Sequence, residues 1–240
     1  MSMMEISAQK MTISLRCEIG LLNAFDDVIT LSSVDTEKLL QAGTTANIHT
    51  SLAVVNTSHD KLLSTQRSNV LSFVGPDCNL PNIAGLKWFL DNVWGKLLQK
   101  DARYELQIIG RWSPERISEL LKGQERVKYL GFVEDLASVL KDTVMIVPIT
   151  VGSGIRMKIL EAASMGIPFV TTSVGVEGIP VENEVHCLVA DTPECFCDAI
   201  LKLQDGALRT RLATNANRLV TERFTLNALR NNRLNIYRQM

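Results

Sequence analysis

Arg156, Lys158 and Glu161 follow directly on the short loop Gly152-Ser153-Gly154-Ile155. The loop leads into an apolar-periodic helix, predicted to begin at Arg156 and stop at Gly166. A strand resumes at Ile167-Pro168-Phe169-Val170-Thr171. Loop N–H groups and the positive end of a helix favour an anion, and two cations add charge where a polyphosphate would lie. Cations at a helix start oppose the helix dipole, so their placement asks for a reason; a bound diphosphate is one, and a solvated helix start is the plain alternative. Glu161, one turn on, would repel phosphate but suits paired sugar hydroxyls, against the alternative of a surface or capping glutamate. The segment reads as a binder of a nucleoside diphosphate with its ribose. The backbone of Gly152, Ser153, Gly154 and Ile155 would take the phosphates, Arg156 and Lys158 would neutralise them, and Glu161 would hold the ribose.

The elements that must position these residues are legible from about residue 68 onward. Val70 to Val74 is a β-rich run ending at Gly75, and Ile83, Leu86, Leu90, Val93 and Leu97 fall on one helical face. Glu105 to Ile109 is strand-like, and Ser113-Pro114-Glu115 reads as a helix N-cap with proline in the first turn. Val127 to Leu130 and Val144 to Val147 read as buried strands with a short helix between them, and Thr192-Pro193-Glu194 starts another helix. Repeated βα units predict an α/β fold, a Rossmann-like doubly wound parallel sheet covered by helices on both faces. Ligands in such sheets bind beyond the carboxyl ends of the strands. Gly75, Gly110, the Gly131 loop, Thr150 to Ser153 and Ser173 to Gly178 should lie there.

The first 65 residues differ. Helices are predicted around Leu15 to Phe25 and Asp35 to Ala42, with strands at Val28 to Leu31 and between Ile48 and Val55. Two such units cannot make a doubly wound domain by themselves. The polar stretch Asn56 to Ser68 reads as a linker.

Gly152 to Ala162, G-S-G-I-R-M-K-I-L-E-A, followed by Gly166-Ile167-Pro168-Phe169-Val170, resembles the donor-binding motif of glycosyltransferases of the family 4 type (group 1). It is most similar to a bacterial exopolysaccharide-type branch that writes G-[ST]-G-x-R-x-K-x-L-E-A. The resemblance extends through Phe73-Val74-Gly75, Leu80-Pro81-Asn82, Ile108-Ile109-Gly110, Gly131-Phe132-Val133-Glu134-Asp135 and Val147-Pro148. It implies the two-domain GT-B architecture. Residues 1–62 would be the remnant of an N-terminal acceptor-side domain, 63–68 the linker, 69–224 the nucleotide-sugar donor-binding domain and 225–240 a C-terminal bracing helix. It further implies a retaining hexosyltransferase that uses a nucleotide-sugar donor and a glycan or lipid-linked acceptor, with no metal or other cofactor. Gly75 and Asn82 would face the diphosphate, and Gly131, Phe132 and Val133 would shape the base pocket, although an ordinary strand-to-helix turn explains that triplet as well. With the acceptor domain largely missing, the chain alone is expected to bind nucleotide and to transfer little.

The sequence also departs from that family. Ser153 stands where the first glutamate of E-G-F-G-L-P-L-L-E-A would be, and Glu161 matches the second. Gly75-Pro76 and Asn82 replace the family's usual G-R and K-G, whereas Arg156 and Lys158 occupy positions that commonly read Gly and Pro. The expectation is that positive charge has moved from one side of the diphosphate to the other. A non-catalytic nucleotide-binding module and a nucleotide-sugar epimerase are the rival readings; a dinucleotide dehydrogenase lacks its G-x-G-x-x-G after the first strand.

The totals agree with a soluble globular protein. Apolar residues make up 46% and charged residues 21%, ordinary values for a packed protein. A net charge of −1 gives no reason to expect nucleic acid as a partner. Five cysteines with no secretory leader suggest reduced thiols in the cytoplasm, at most peripheral at the inner face of the membrane. Cys195-x-Cys197 has the wrong spacing for a zinc site and reads as structural, and no D-x-D metal motif occurs.

Overall fold

The computed structural model describes residues 16–57 and 68–240. The start of the first expected helix and most of the expected linker lie outside the described residues. The chain divides into two compact units, residues 54–226 and, among the described residues, 16–53 with 227–240.

The larger unit is built on six parallel strands. In chain order these are β3 (Val70–Val74), β4 (Glu105–Ile109), β5 (Val127–Gly131), β6 (Val144–Val147), β7 (Phe169–Thr171) and β8 (Leu188–Val189). Their spatial order is β5-β4-β3-β6-β7-β8, so the chain winds outward from β3 to one edge and then returns beside it to wind the other way. The expected Rossmann-like doubly wound sheet is therefore present, with its switch point between β3 and β6. That crevice, beyond the strands' carboxyl ends, is where such sheets bind ligands. The connecting helices are α3 (Leu80–Phe89), α4 (Gly95–Lys100), α5 (Pro114–Leu121), α6 (Leu136–Leu140), α7 (Met157–Met165), α8 (Pro193–Lys202) and α9 (Gly206–Arg223).

Both sheet faces are covered, which explains why β6 is buried at every position and β3 carries Leu71, Ser72 and Phe73 inside. The predicted apolar face of the second helix closes the core: Leu86, Leu90, Val93 and Leu97 are buried. A π-helical segment, Leu90–Trp94, joins α3 to α4, and Trp94 within it is buried with its indole Nε1 donating to Glu125 O at 3.0 Å. Phe196 of α8 meets Trp88 and Phe89 edge-on at 5.6 and 5.8 Å between ring centroids.

Three local expectations change. β5 is not a buried strand: among the described residues it has a single neighbour, and Lys128, Tyr129 and Leu130 are exposed along this sheet edge, with Lys128 paired to Glu105 at 2.7 Å. Ser113 precedes α5 as predicted but makes no side-chain cap; its N–H instead donates to Asp77 Oδ2 at 2.8 Å. The motif helix starts one residue late, because Arg156 has φ −85° and ψ 88° and belongs to the loop. It ends at Gly166, whose left-handed φ of 73° lets its N–H cap the last turn.

In the smaller unit a helical stretch over 16–22 (α1) precedes β1 (Asp27–Thr30), α2 (Ser33–Gln41) and β2 (Asn47–Thr50). β1 and β2 run parallel with Asp27 opposite Asn47 and Thr30 opposite Thr50. Helix α10 (Leu226–Tyr237) brings Arg233 Nε to 3.3 Å from Ser51 Oγ. His49 Nε2 lies 2.8 Å from Asp27 Oδ1.

Candidate functional site

The carboxyl end of β3 and the start of α7 meet at one corner. Lys158, in the first turn of α7, reaches across the switch point and donates from Nζ to Val74 O at 2.5 Å and to Asn82 Oδ1 at 2.6 Å. Its ammonium also lies 5.1 Å from the centroid of the Phe73 ring, a cation–π contact. Asn82 is 4% exposed, which is low enough that both ends of its amide need partners; Nδ2 donates to Pro76 O at 2.9 Å. Gly75 is obligatory here because a Cβ would stand 2.6 Å from Asn82 Nδ2 and 2.7 Å from Lys158 Nζ. Burial, helped by the nearby Arg156 charge and opposed by Glu161, lowers the Lys158 pKa to about 8.

Arg156 occupies the loop just before α7. Its Nη1 donates to Ser153 O and, at 2.6 Å, to Gly154 O. Nε and Nη2 are buried and have no hydrogen-bond partner among the described residues. These two nitrogens form the side-on edge of the guanidinium, the edge that accepts a carboxylate or phosphate in two parallel bonds. Burial lowers the Arg156 pKa and Glu177 opposes that, yet an arginine stays charged under any ordinary condition. Gly152, at a left-handed φ of 112°, lets the loop pass Pro81 and Arg156: a Cβ there would stand 2.8 Å from Pro81 Cγ and 3.2 Å from Nη2.

These groups enclose a cavity of about 330 Å³ lined by Pro81, Asn82, Ser153, Ile155, Arg156 and Lys158, with Pro76 and Ile149 at the ends of β3 and β6. Among the described residues, two cations and no carboxylate line it. No side chain caps α7, so its first-turn N–H groups lack a side-chain acceptor. Both cations nevertheless have partners inside the protein. The helix-start conflict read from the sequence is thereby eased by carbonyl and amide oxygens. Lys158 comes from α7 in the sequence, but its ammonium sits at the β3–α3 corner in space.

Glu161 opens into a different cavity, about 250 Å³, with Glu134 and Asp135 of the β5–α6 turn, Leu136 and Ala137 at the start of α6, and Asn56, Ser164 and Met165. The structure thus brings Ser153, Ile155, Arg156, Lys158 and Asn82 together, with Gly75 and Gly152 packed against them. Glu161 lies on the same helix in the second cavity. Gly131, Phe132 and Val133 lead into the residues that line that second cavity. Phe132 is 61% exposed, enough to leave the ring accessible, and the Arg111 guanidinium lies over it at 4.6 Å from the centroid.

Sequence reasoning missed Arg111, Pro81 and Asn56, and it also missed Trp112. Trp112 Nε1 donates to Gly75 O at 2.7 Å, and its N–H donates to Tyr129 Oη at 3.1 Å. A lone tryptophan after a strand carries no spacing signal.

No cysteine lines either cavity among the described residues. Cys17, Cys78 and Cys195 are exposed, Cys187 and Cys197 are buried, and all are free; burial pushes the Cys187 thiol up to about 12. Among the described residues no group of three or more His, Cys, Asp or Glu is arranged to hold a metal, and no helix is long and apolar enough to cross a membrane.

Solved structures share this fold. TarM of S. aureus, determined with Fondaparinux, alpha-GlcNAc-glycerol and UDP, superposes with a TM-score of 0.78 at 18% identity over 91% of this chain and 45% of TarM. Anabaena Alr3699/HepE in complex with UDP and glucose gives 0.75 at 19% identity, covering 95% of this chain and 67% of HepE. Sucrose-phosphate synthase from Thermosynechococcus elongatus gives 0.77 at 20%, covering 94% of this chain and 61% of the synthase. At such identities the likeness establishes the fold, a GT-B type α/β domain, and the chain spans less than half the length of TarM. No curated protein matches the chain in sequence. The family model for glycosyl transferases group 1 matches residues 68–205, more than half of the chain, and so the chain belongs to that family.

Proposed function

We propose that the larger unit binds a nucleoside-diphosphate sugar and serves as the donor side of a glycosyltransferase, moving a hexose to a glycan or lipid-linked acceptor. The observation that carries this reading is the cavity at the β3–β6 switch point, lined by Arg156 and Lys158 and, among the described residues, by no carboxylate. Membership of the glycosyl transferases group 1 family supports it, as do neighbours solved with UDP.

In this reading the diphosphate occupies the cationic cavity and the ribose hydroxyls meet Glu161 in the next one. Gly131, Phe132 and Val133 border the base. When the bond between the anomeric carbon and the diphosphate oxygen breaks, negative charge grows on that oxygen. Lys158 stands ready to stabilise it with little reorganisation, since Val74 O and Asn82 Oδ1 already aim its ammonium. Arg156 contributes its side-on edge and the first turn of α7 its N–H groups. Transfer proceeds with retention, and neither a metal nor another cofactor is needed to hold the donor. Ser153 supplies no carboxylate where the family motif has its first glutamate. That favours a second reading, nucleotide binding without transfer.

An affinity ladder tests the proposal. Nucleoside, monophosphate, diphosphate and diphosphate-hexose of uracil, guanine and adenine are titrated against the chain. One base series should tighten at each phosphate, and a donor-hydrolysis assay on its sugar separates the two readings. A diphosphate that binds no better than its nucleoside in every series would overturn the assignment.

A further inference from the structure

Trp112 lines neither cavity, yet it reaches the phosphate corner by two routes. One runs through hydrogen bonds. Trp112 Nε1 donates to Gly75 O at 2.7 Å, and the adjoining Pro76 carbonyl accepts Asn82 Nδ2 at 2.9 Å. Asn82 Oδ1 in turn accepts Lys158 Nζ at 2.6 Å. The other runs through rings: Trp112 meets Phe73 edge-on, 6.4 Å between centroids at 61°, and Lys158 Nζ lies over that same phenylalanine.

Tyr129 anchors Trp112 from behind. Its hydroxyl accepts the Trp112 backbone N–H at 3.1 Å and donates to Gly110 O at 3.1 Å. The turn after β4 is in turn latched to the turn after β3. Asp77 N donates to Arg111 O at 3.1 Å, Ser113 N donates to Asp77 Oδ2 at 2.8 Å, and Arg116 Nη1 lies 3.1 Å from the same carboxylate.

We propose that Trp112, held by Tyr129, is a positioning residue for diphosphate binding: it fixes the Gly75-Pro76 turn so that Asn82 aims the Lys158 ammonium. This rests on the donor-site reading above. The charged groups that act on Lys158 are Arg156 and Glu161, from the α7 segment itself. β3 and α3 face it with the Val74 carbonyl, the Phe73 ring and the Asn82 amide. Anything that loosens the turn therefore changes how Lys158 is held without removing its charge.

Trp112→Phe keeps a ring against Phe73 and removes the donor to Gly75 O together with part of the buried indole, a packing loss that Tm reports separately. The probes are UDP, GDP and ADP, each with its own nucleoside, titrated from pH 7 to 9.5 with the 240-residue chain. For the diphosphate that the unaltered chain binds, Trp112→Phe should weaken affinity by about tenfold, as loss of one buried hydrogen bond in a charge-orienting chain implies, while the nucleoside stays within about twofold. The pH at which diphosphate affinity falls should also move upward, because a released Lys158 is better solvated. Tyr129→Phe, which keeps its exposed ring, should shift diphosphate affinity and the pH midpoint in the same directions by a smaller factor, again sparing the nucleoside, and it carries the test if Trp112→Phe does not fold. A variant that only lowers Tm, with the diphosphate-to-nucleoside ratio and the pH midpoint unchanged, overturns this inference alone. No diphosphate binding by the unaltered chain overturns the donor-site reading and this inference with it.

Discussion

Lys158 Nζ lies 2.6 Å from Asn82 Oδ1, although the two residues are 76 positions apart in the chain. The contact closes the corner between β3, α3 and α7. It also fixes what each partner can do. Asn82 spends both ends of its amide on Pro76 O and Lys158, so it acts on a ligand through the lysine. Lys158 brings its positive charge to the wall of a cavity that, among the described residues, no carboxylate lines.

Lys158→Ala should therefore remove most of the discrimination between a nucleoside diphosphate and its nucleoside. A charge-assisted hydrogen bond contributes about 1.5–3 kcal/mol, so the loss is on the order of 10- to 100-fold in diphosphate affinity with nucleoside affinity unchanged. Calorimetric titration with both ligands checks it. Equal weakening of the two would mean that the lysine supports the whole site rather than the phosphates.

The pH dependence of the same residue has two opposite faces. Its folded pKa, about 8, is below its ordinary 10.5, so between these values the unfolded chain binds more protons than the folded one. Stability from this group therefore rises across that window, while diphosphate affinity falls as pH passes 8 and the ammonium is lost. Denaturant unfolding and ligand titration at matched pH should move in opposite directions. In Lys158→Ala both pH trends should be reduced.

Gly75→Ala would put a methyl group 2.6 Å from Asn82 Nδ2 and 2.7 Å from Lys158 Nζ. Overpacking of this kind costs about 1–3 kcal/mol, and here it falls on the two side chains that shape the phosphate corner. Both Tm and diphosphate affinity should drop. Unchanged affinity in a folded Gly75→Ala protein would show that the corner is not where the phosphates bind.

What the sequence made legible was the frame. The Gly-Ser loop, the periodic helix and Gly166 located α7 to within a residue, since each is a local signal with a local cause. What stayed hidden depends on tertiary register. Asn82 sits in an apolar helix, and only the fold brings Lys158 to it. Arg111 and Phe132 stack because β4 and β5 pair with a register shift between Ile108 and Ile109, which no local pattern records. The edge position of β5 was hidden as well, because Val127 and Leu130 look as apolar as a buried strand while the sheet order leaves one side unpaired.

The helix that carries Glu161 is itself held from outside the site. Asn217 of α9 is 2% exposed, so its loss cannot be made good by water, and it donates from Nδ2 to Ala163 O at 3.1 Å and to Ser164 O at 2.7 Å at the end of α7. Asn217→Leu removes the donor and leaves buried carbonyls short of partners, a cost of about 1–3 kcal/mol. Thermal unfolding should report a lower Tm with diphosphate affinity retained well below the transition. An unchanged Tm would mean that the carbonyls find other donors.

The central claim is that α7 presents charge to a diphosphate and Glu161 to the attached ribose. It is tested most directly by calorimetry of the unaltered chain and of Glu161→Ala with UDP, GDP and ADP, alongside inorganic pyrophosphate. The account predicts that one nucleoside diphosphate binds selectively, that Glu161→Ala weakens it by about tenfold or more, as loss of hydrogen bonds to a charged group implies, and that pyrophosphate binding is not weakened. Nucleoside diphosphate binding that is indifferent to Glu161→Ala, or absent with all three bases, would contradict it.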